Sequence, residues 1–148
     1  MKYLSSLIAV ALVATATVAA ASDGSVGRVK TVEGTASIVR GQGSLPAVVN
    51  ERVLQGDTLT TGPNGSLGVI LKDDTSLSLG PNSVVVVDQF QFAPAEGKLS
   101  LVTRMVRGTA VYISGIIAKL SPQSVRFETP NATIGIRGTR FLVKVDED

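Results

Sequence analysis

Histidine, cysteine and tryptophan are all missing from this chain of 148 residues. Without histidine and cysteine, the commonest general base, the thiolate nucleophile and most transition-metal sites are excluded. Disulfides are excluded too, so packing alone must stabilise the folded chain. Only carboxylate or Ser/Lys chemistry remains for catalysis. The composition therefore favours a binding protein over an enzyme, and we expect no cofactor and no metal.

Charged residues are scarce at 18% and aromatic residues at 4%, but the hydrophobic fraction of 44% is enough for one core. The charge is unevenly distributed along the chain. Residues 98–144 contain eight basic residues and one acidic residue, whereas residues 22–97 contain five basic and eight acidic residues. The basic half is either an ordinary solvated face or a surface for an acidic protein or polymer.

Residues 1–21 have the pattern of a secretory signal peptide. Lys2 precedes an apolar run over residues 7–18, and Ala19 and Ala21 then fit an A-x-A cleavage site. The run is short for a membrane-spanning helix, which makes an uncleaved anchor the weaker alternative. We expect cleavage after Ala21, a periplasmic or extracellular location, and no transmembrane segment in the mature chain.

Short β-favouring runs, each closed by turn residues, occupy the chain from Val26 onward. Residues 48–54, 98–102 and 109–113 are three of these runs, in which apolar and polar residues tend to alternate at the strand period of two. Two Gly-Pro-Asn turns eighteen residues apart hint at a repeat. The sequence predicts a single all-β domain over residues 22–148, either a β-solenoid-like stack or a compact two-layer β-sandwich.

One segment departs from the strand pattern. Residues 113–120 carry aliphatic side chains at positions i, i+3, i+4 and i+7, which is the stripe of an amphipathic helix, and Pro122 ends it. We predict one short helix there. Asp73 and Asp74 are adjacent and would point to opposite faces of a strand, so we interpret them as a hairpin turn rather than a catalytic pair.

Two glycines and two arginines are concentrated between Gly135 and Arg140. The stretch lacks the lysine of a phosphate-binding loop. It also differs from the G-x-x-G clamp of RNA-binding KH modules, because that clamp joins two helices, whereas β-branched runs flank the stretch here. With export expected as well, we predict no nucleic-acid partner. Arg137 and Arg140 either lock neighbouring strands, for example through a carboxylate such as Asp57, or present a basic patch to a partner.

Four segments resemble, in order, the motifs of the FecR-type domain family: VGRVKTVEGTASIVR, LQGDTLTTGPNGSLGVILKDDTSLSLGPNSVVVV, VRGTAVYISG and TPNATIGIRGTRFLV. Together they extend over residues 26–145. The signature residues, for which we predict structural roles, are Gly56, Asp57, Gly62, Asn64, Gly65, Thr129, Pro130, Gly135, Arg137, Gly138, Thr139 and Phe141.

The resemblance implies a periplasmic module that relays a signal. Proteins similar to the founding member carry a cytoplasmic anti-sigma segment, a transmembrane helix and a periplasmic part that relays a signal from an outer-membrane transducer. In this chain we expect a leader in place of the cytoplasmic segment, and Asp73-Asp74-Thr75 stands where the family usually has Asp-Gly-Ser. The resemblance therefore implies a stand-alone exported form that binds an envelope protein. The alternative is an envelope or surface structural protein that contacts acidic polysaccharide through its basic C-terminal half.

Overall fold

The computed structural model describes residues 24–136 and 140–146. The strands in this part of the chain are β1 (Ser25–Glu33), β2 (Ala36–Arg40), β3 (Gly43–Pro46), β4 (Arg52–Leu54), β5 (Thr58–Thr61), β6 (Ser66–Leu71), β7 (Ser76–Leu79), β8 (Val84–Ala93), β9 (Lys98–Ile113), β10 (Val125–Thr129), β11 (Ala132–Gly135) and β12 (Arg140–Val145). The α-helix α1 spans Ile116–Leu120, and 3₁₀ turns span Pro94–Glu96 and Pro122–Ser124. The prediction of an all-β domain with one short helix is confirmed.

Hydrogen bonds connect these strands into one sheet with two halves. The first half has the order β4-β1-β6-β7-β9-β12, and the second half has the order β3-β2-β5-β8-β9-β10-β11. Among the described pairings, only that of β9 with β10 is parallel. Because nearly all described pairings are antiparallel, the fold resembles the predicted two-layer β-sandwich more than the predicted solenoid-like stack.

Both halves contribute to one hydrophobic core. Cross-strand rows of apolar side chains cover the inner faces, because alternate residues of a strand share a face. The row in the first half is Val29, Val69, Leu77, Tyr112 and Phe141, and the row in the second half is Ile38, Leu59, Val85 and Met105. Full burial of each aliphatic side chain stabilises the fold by about 1.5–3 kcal/mol.

β9 has 16 residues and belongs to both halves. Its N-terminal part pairs with β8 and β10, and its C-terminal part pairs with β7 and β12. Gly108, at the junction, has a φ of 101°, and the buried positions change parity there, from Met105 before it to Ala110 after it. The prediction of separate strands at residues 98–102 and 109–113 was therefore wrong, since one strand runs through both.

Two other boundaries differ from the prediction. Of residues 48–54, only Arg52–Leu54 form a strand, because Asn50 has a φ of 73° and belongs to a turn. The helix predicted at residues 113–120 begins at Ile116. Ile113 is instead the last residue of β9, where its backbone pairs with strands on both sides.

Candidate functional site

Asp57, the second residue of the Gly56-Asp57 motif, is buried and bound by Arg40. Arg40 Nε donates to Asp57 Oδ1 at 2.9 Å, and Arg40 Nη2 donates to Oδ2 at 2.8 Å. The Leu54 N–H donates to Oδ2 at 2.7 Å. The hydrogen bonds to Asp57 raise the pKa of Arg40 above its ordinary value. The pair joins the end of β2 to the turn before β5, so it fixes these two segments relative to each other.

The arginine that holds Asp57 is therefore not Arg140. Arg140 lies exposed at the start of β12, opposite Ile113 of β9. Residues 137–139, which include Arg137, Gly138 and Thr139 of the signature, lie outside the described residues, and so do residues 1–21. β11 ends at Gly135 on one side of the stretch, and β12 begins on the other.

The two Gly-Pro-Asn turns pack against each other. The Asn82 N–H donates to Gly62 O at 3.0 Å, and Thr61 Oγ1 donates to Gly80 O at 2.6 Å. Thr61 Oγ1 also accepts the N–H of Ser83 at 2.9 Å. These bonds link the end of β5 to the start of β8, so the repeated turns form one joint of the fold.

Three further signature residues, Gly56, Asn64 and Gly65, lie in the segments that flank β5. Gly65 is buried against Thr35, and a Cβ at this position would collide with the Thr35 carbonyl oxygen. Asn64 is exposed at the tip of that turn. The Gly56 N–H donates to Val87 O at 2.7 Å. Gly56 and Gly65 therefore contact their neighbours through the backbone, and none of these three residues lines the C-terminal groove described below.

Asp73 lies in the hairpin turn between β6 and β7, as predicted, but it is also completely buried. Its carboxylate accepts hydrogen bonds from Thr75 Oγ1 at 2.8 Å, from Thr75 N at 3.1 Å and from Ile117 N at 3.3 Å. Its carbonyl oxygen accepts the Ile116 N–H at 2.7 Å. Asp73 therefore fixes the start of α1 to the hairpin. The sequence signal was the Asp-x-Thr spacing, which is typical of a side chain that bonds its own turn.

Phe141 of the signature belongs to an aromatic cluster in the core. Its ring stacks on Tyr112, with centroids 4.9 Å apart, and meets Phe127 edge-on at 5.7 Å. Tyr112 Oη is buried. Burial, with a smaller contribution from the charge of Asp73, raises the pKa of Tyr112 above its ordinary value.

A groove of about 700 Å³ lies between the middle of β9, the β10–β11 turn and β12. We call it the C-terminal groove. Its lining is Val106, Arg107, Thr129, Pro130, Asn131, Ile134, Val143, Lys144, Val145 and Asp146. It includes two signature residues, Thr129 and Pro130, and its volume lies in the range of ligand-binding clefts.

The lining of the C-terminal groove combines apolar residues, which are valine, isoleucine and proline, with the charged residues Arg107, Lys144 and Asp146. Within residues 24–136 and 140–146, no His, Cys, Asp or Glu side chains form a group of three that could hold a metal ion. No helix in the same ranges has the length and hydrophobicity that a bilayer crossing requires.

A family model described as FecR protein matches residues 57–148. The matched segment begins at Asp57 and contains the joint between the two Gly-Pro-Asn turns and the whole C-terminal groove. Comparisons with curated proteins and with solved structures found no match. Because the family match covers more than half of the sequence, the chain belongs to the FecR protein family.

Proposed function

We propose that the chain is a periplasmic protein-interaction module that relays a signal and catalyses no reaction. Membership of the FecR family supports a signalling-related periplasmic domain. The observation that carries the proposal is that the C-terminal groove lies entirely inside the matched segment, residues 57–148. Export through cleavage after Ala21 is part of the same proposal.

The chemistry of the C-terminal groove suits a segment of another protein. Val106 is 45% exposed and Ile134 is half-buried, so the groove offers apolar surface that a partner could cover. Arg107 and Lys144 line the same groove and suit acidic side chains on that partner. Protein interfaces commonly combine an apolar centre with a polar rim. The partner we propose is an envelope protein with an acidic and apolar segment.

Site-specific photo-cross-linking in intact cells tests this proposal. A photoreactive amino acid replaces Val106 in the C-terminal groove or, as the matched control, Leu120, which is 58% exposed and lies at the end of α1. We expect one discrete adduct with an envelope protein from position 106 and none from position 120. Lys144→Glu should reduce the yield of that adduct, because it reverses a charge in the groove.

Two results would contradict the proposal. One is the absence of an adduct from position 106 although the protein reaches the periplasm at the parental level. The other is binding of a polyuronate that Lys144→Glu abolishes, which would favour the structural alternative, contact with acidic polysaccharide.

A further inference from the structure

A second groove, of about 380 Å³, lies where β1 meets β4 and the β6–β7 hairpin. We call it the basic groove, because Arg28, Arg52 and Lys72 line it together with a single carboxylate, that of Asp74. Arg28 and Arg52 are direct partners in the antiparallel pairing of β1 with β4. The lining therefore carries a net positive charge, which attracts anions.

Two exposed valines immediately precede the basic groove in the chain. Val48 is 51% exposed and Val49 is 56% exposed, and they form what we call the valine tip. The following residue, Asn50, lines the basic groove. The tip is held in position, since the Asn50 N–H donates to Val29 O at 2.9 Å and the Glu51 N–H donates to Val48 O at 3.0 Å. An ordered aliphatic tip therefore adjoins the basic groove.

Neighbouring basic and aliphatic side chains are the combination by which peripheral proteins bind anionic lipid. The bases attract the phosphate headgroups, and the aliphatic side chains enter the boundary of the acyl chains. We propose that the basic groove and the valine tip together bind an anionic phospholipid surface. A small anion or an acidic polysaccharide would use the three bases but would leave the valine tip exposed to water. The lipid is the ligand that uses both features.

This site is separate from the C-terminal groove, because the two grooves share no lining residue. A domain held against a membrane through this site would leave its C-terminal groove available to a protein partner.

Co-sedimentation of the exported protein with lipid vesicles tests the proposal. We expect binding to phosphatidylcholine vesicles that contain phosphatidylglycerol, weaker binding as salt is added, and no binding to pure phosphatidylcholine. The double variant Arg28→Gln/Arg52→Gln should lower the vesicle affinity about thirtyfold, since each base near an anionic surface contributes roughly fivefold. Val48→Ser/Val49→Ser should lower it roughly tenfold through lost apolar burial.

Matched control variants lie elsewhere on the surface. Arg104→Gln/Arg126→Gln removes two basic residues from the second half of the sheet, and their side chains are 52% and 54% exposed. Leu120→Ser/Leu142→Ser removes two exposed aliphatic side chains. Both should bind vesicles within about twofold of the parent, since neither touches the basic groove or the valine tip. Circular dichroism melting curves establish that every variant is folded.

Several outcomes would overturn the proposal. These are equal binding to both kinds of vesicle, binding to neither kind, or equal losses in the control variants. Binding of soluble polyuronate that the arginine variant loses and the valine variant keeps would also overturn it, and would assign the basic groove to acidic polysaccharide.

Discussion

Removing either partner of the Arg40–Asp57 pair should destabilise the domain, and the two losses should differ. The Asp57 side chain is 1% exposed, whereas that of Arg40 is 35% exposed. Arg40→Ala leaves a buried carboxylate with the Leu54 N–H as its one remaining donor among the bonds described. Asp57→Ala leaves a guanidinium that can turn into water.

The burial of the two partners sets the expected magnitudes. Breaking a buried ion pair by removing one partner costs about 3–5 kcal/mol when the remaining charge stays buried, which is the case for Arg40→Ala. Loss of hydrogen bonds to a charged group costs about 1.5–3 kcal/mol, which is the expectation for Asp57→Ala. Adding Asp57→Ala to Arg40→Ala should therefore recover part of the loss, because it removes the orphaned charge.

Urea denaturation followed by far-ultraviolet circular dichroism measures these free energies of unfolding, with an unchanged m value as the check on two-state behaviour. The exposed pair of Arg104 with Asp88, at 3.8 Å, is the matched control. Its alanine variants should cost no more than about 1 kcal/mol. The reasoning is refuted if Asp57→Ala costs as much as Arg40→Ala, or if the double variant is as unstable as the sum of the single variants.

Further predictions concern the core, the junction in β9 and export. Tyr112, whose pKa is raised by burial, should make the stability fall as the pH rises above about 10, because the unfolded chain loses that proton first; urea titrations at high pH should show a smaller fall for Tyr112→Phe, and an equal fall would contradict the assignment. Gly108→Val should cost about 3 kcal/mol or more, since it adds a collision with Ser83 to a positive φ; Gly135→Ala, into open space, is the control, and similar melting temperatures would be the contrary result. N-terminal sequencing of the protein from the periplasm should begin at Ser22, and an intact Met1 would disprove cleavage.

The strand periodicity was enough to predict an all-β domain, the hairpin turn at Asp73 and the place of the helix. The same periodicity gave the wrong answer for β9. The buried positions nearest to Gly108 are odd-numbered before it, at Met105, and even-numbered after it, at Ala110, a change that resembles the end of one strand and the start of another. Only the pairing with strands on both sides shows that the chain continues through the glycine. The local sequence does not carry that information.

Arg40 was missed for a related reason. It is seventeen residues from Asp57, and the two residues meet because β2 pairs with β5 in a register that places Val39 opposite Thr58. The next step along that register brings Arg40 to Asp57. The basic groove was missed for the same reason. Its side chains come from β1, from β4 and from the β6–β7 hairpin, which are far apart in the sequence. Sites made across strands become predictable only once the pairing is known.

The position of β9 also has a consequence for how the chain folds. Neither half of the sheet is complete until residues 98–113 are available, so most strand pairings must wait for a segment far along the chain. Such long-range topology slows folding and makes it cooperative, because the chain loses the entropy of closing many loops before the stabilising contacts form. A fragment restricted to the family-matching residues 57–148 would still contain β9 but would lack β1 and β2, the strands that cover β6 and β5. The segment that identifies the family should therefore be unable to fold without the N-terminal strands, and the whole of residues 25–145 should behave as one all-or-none unit.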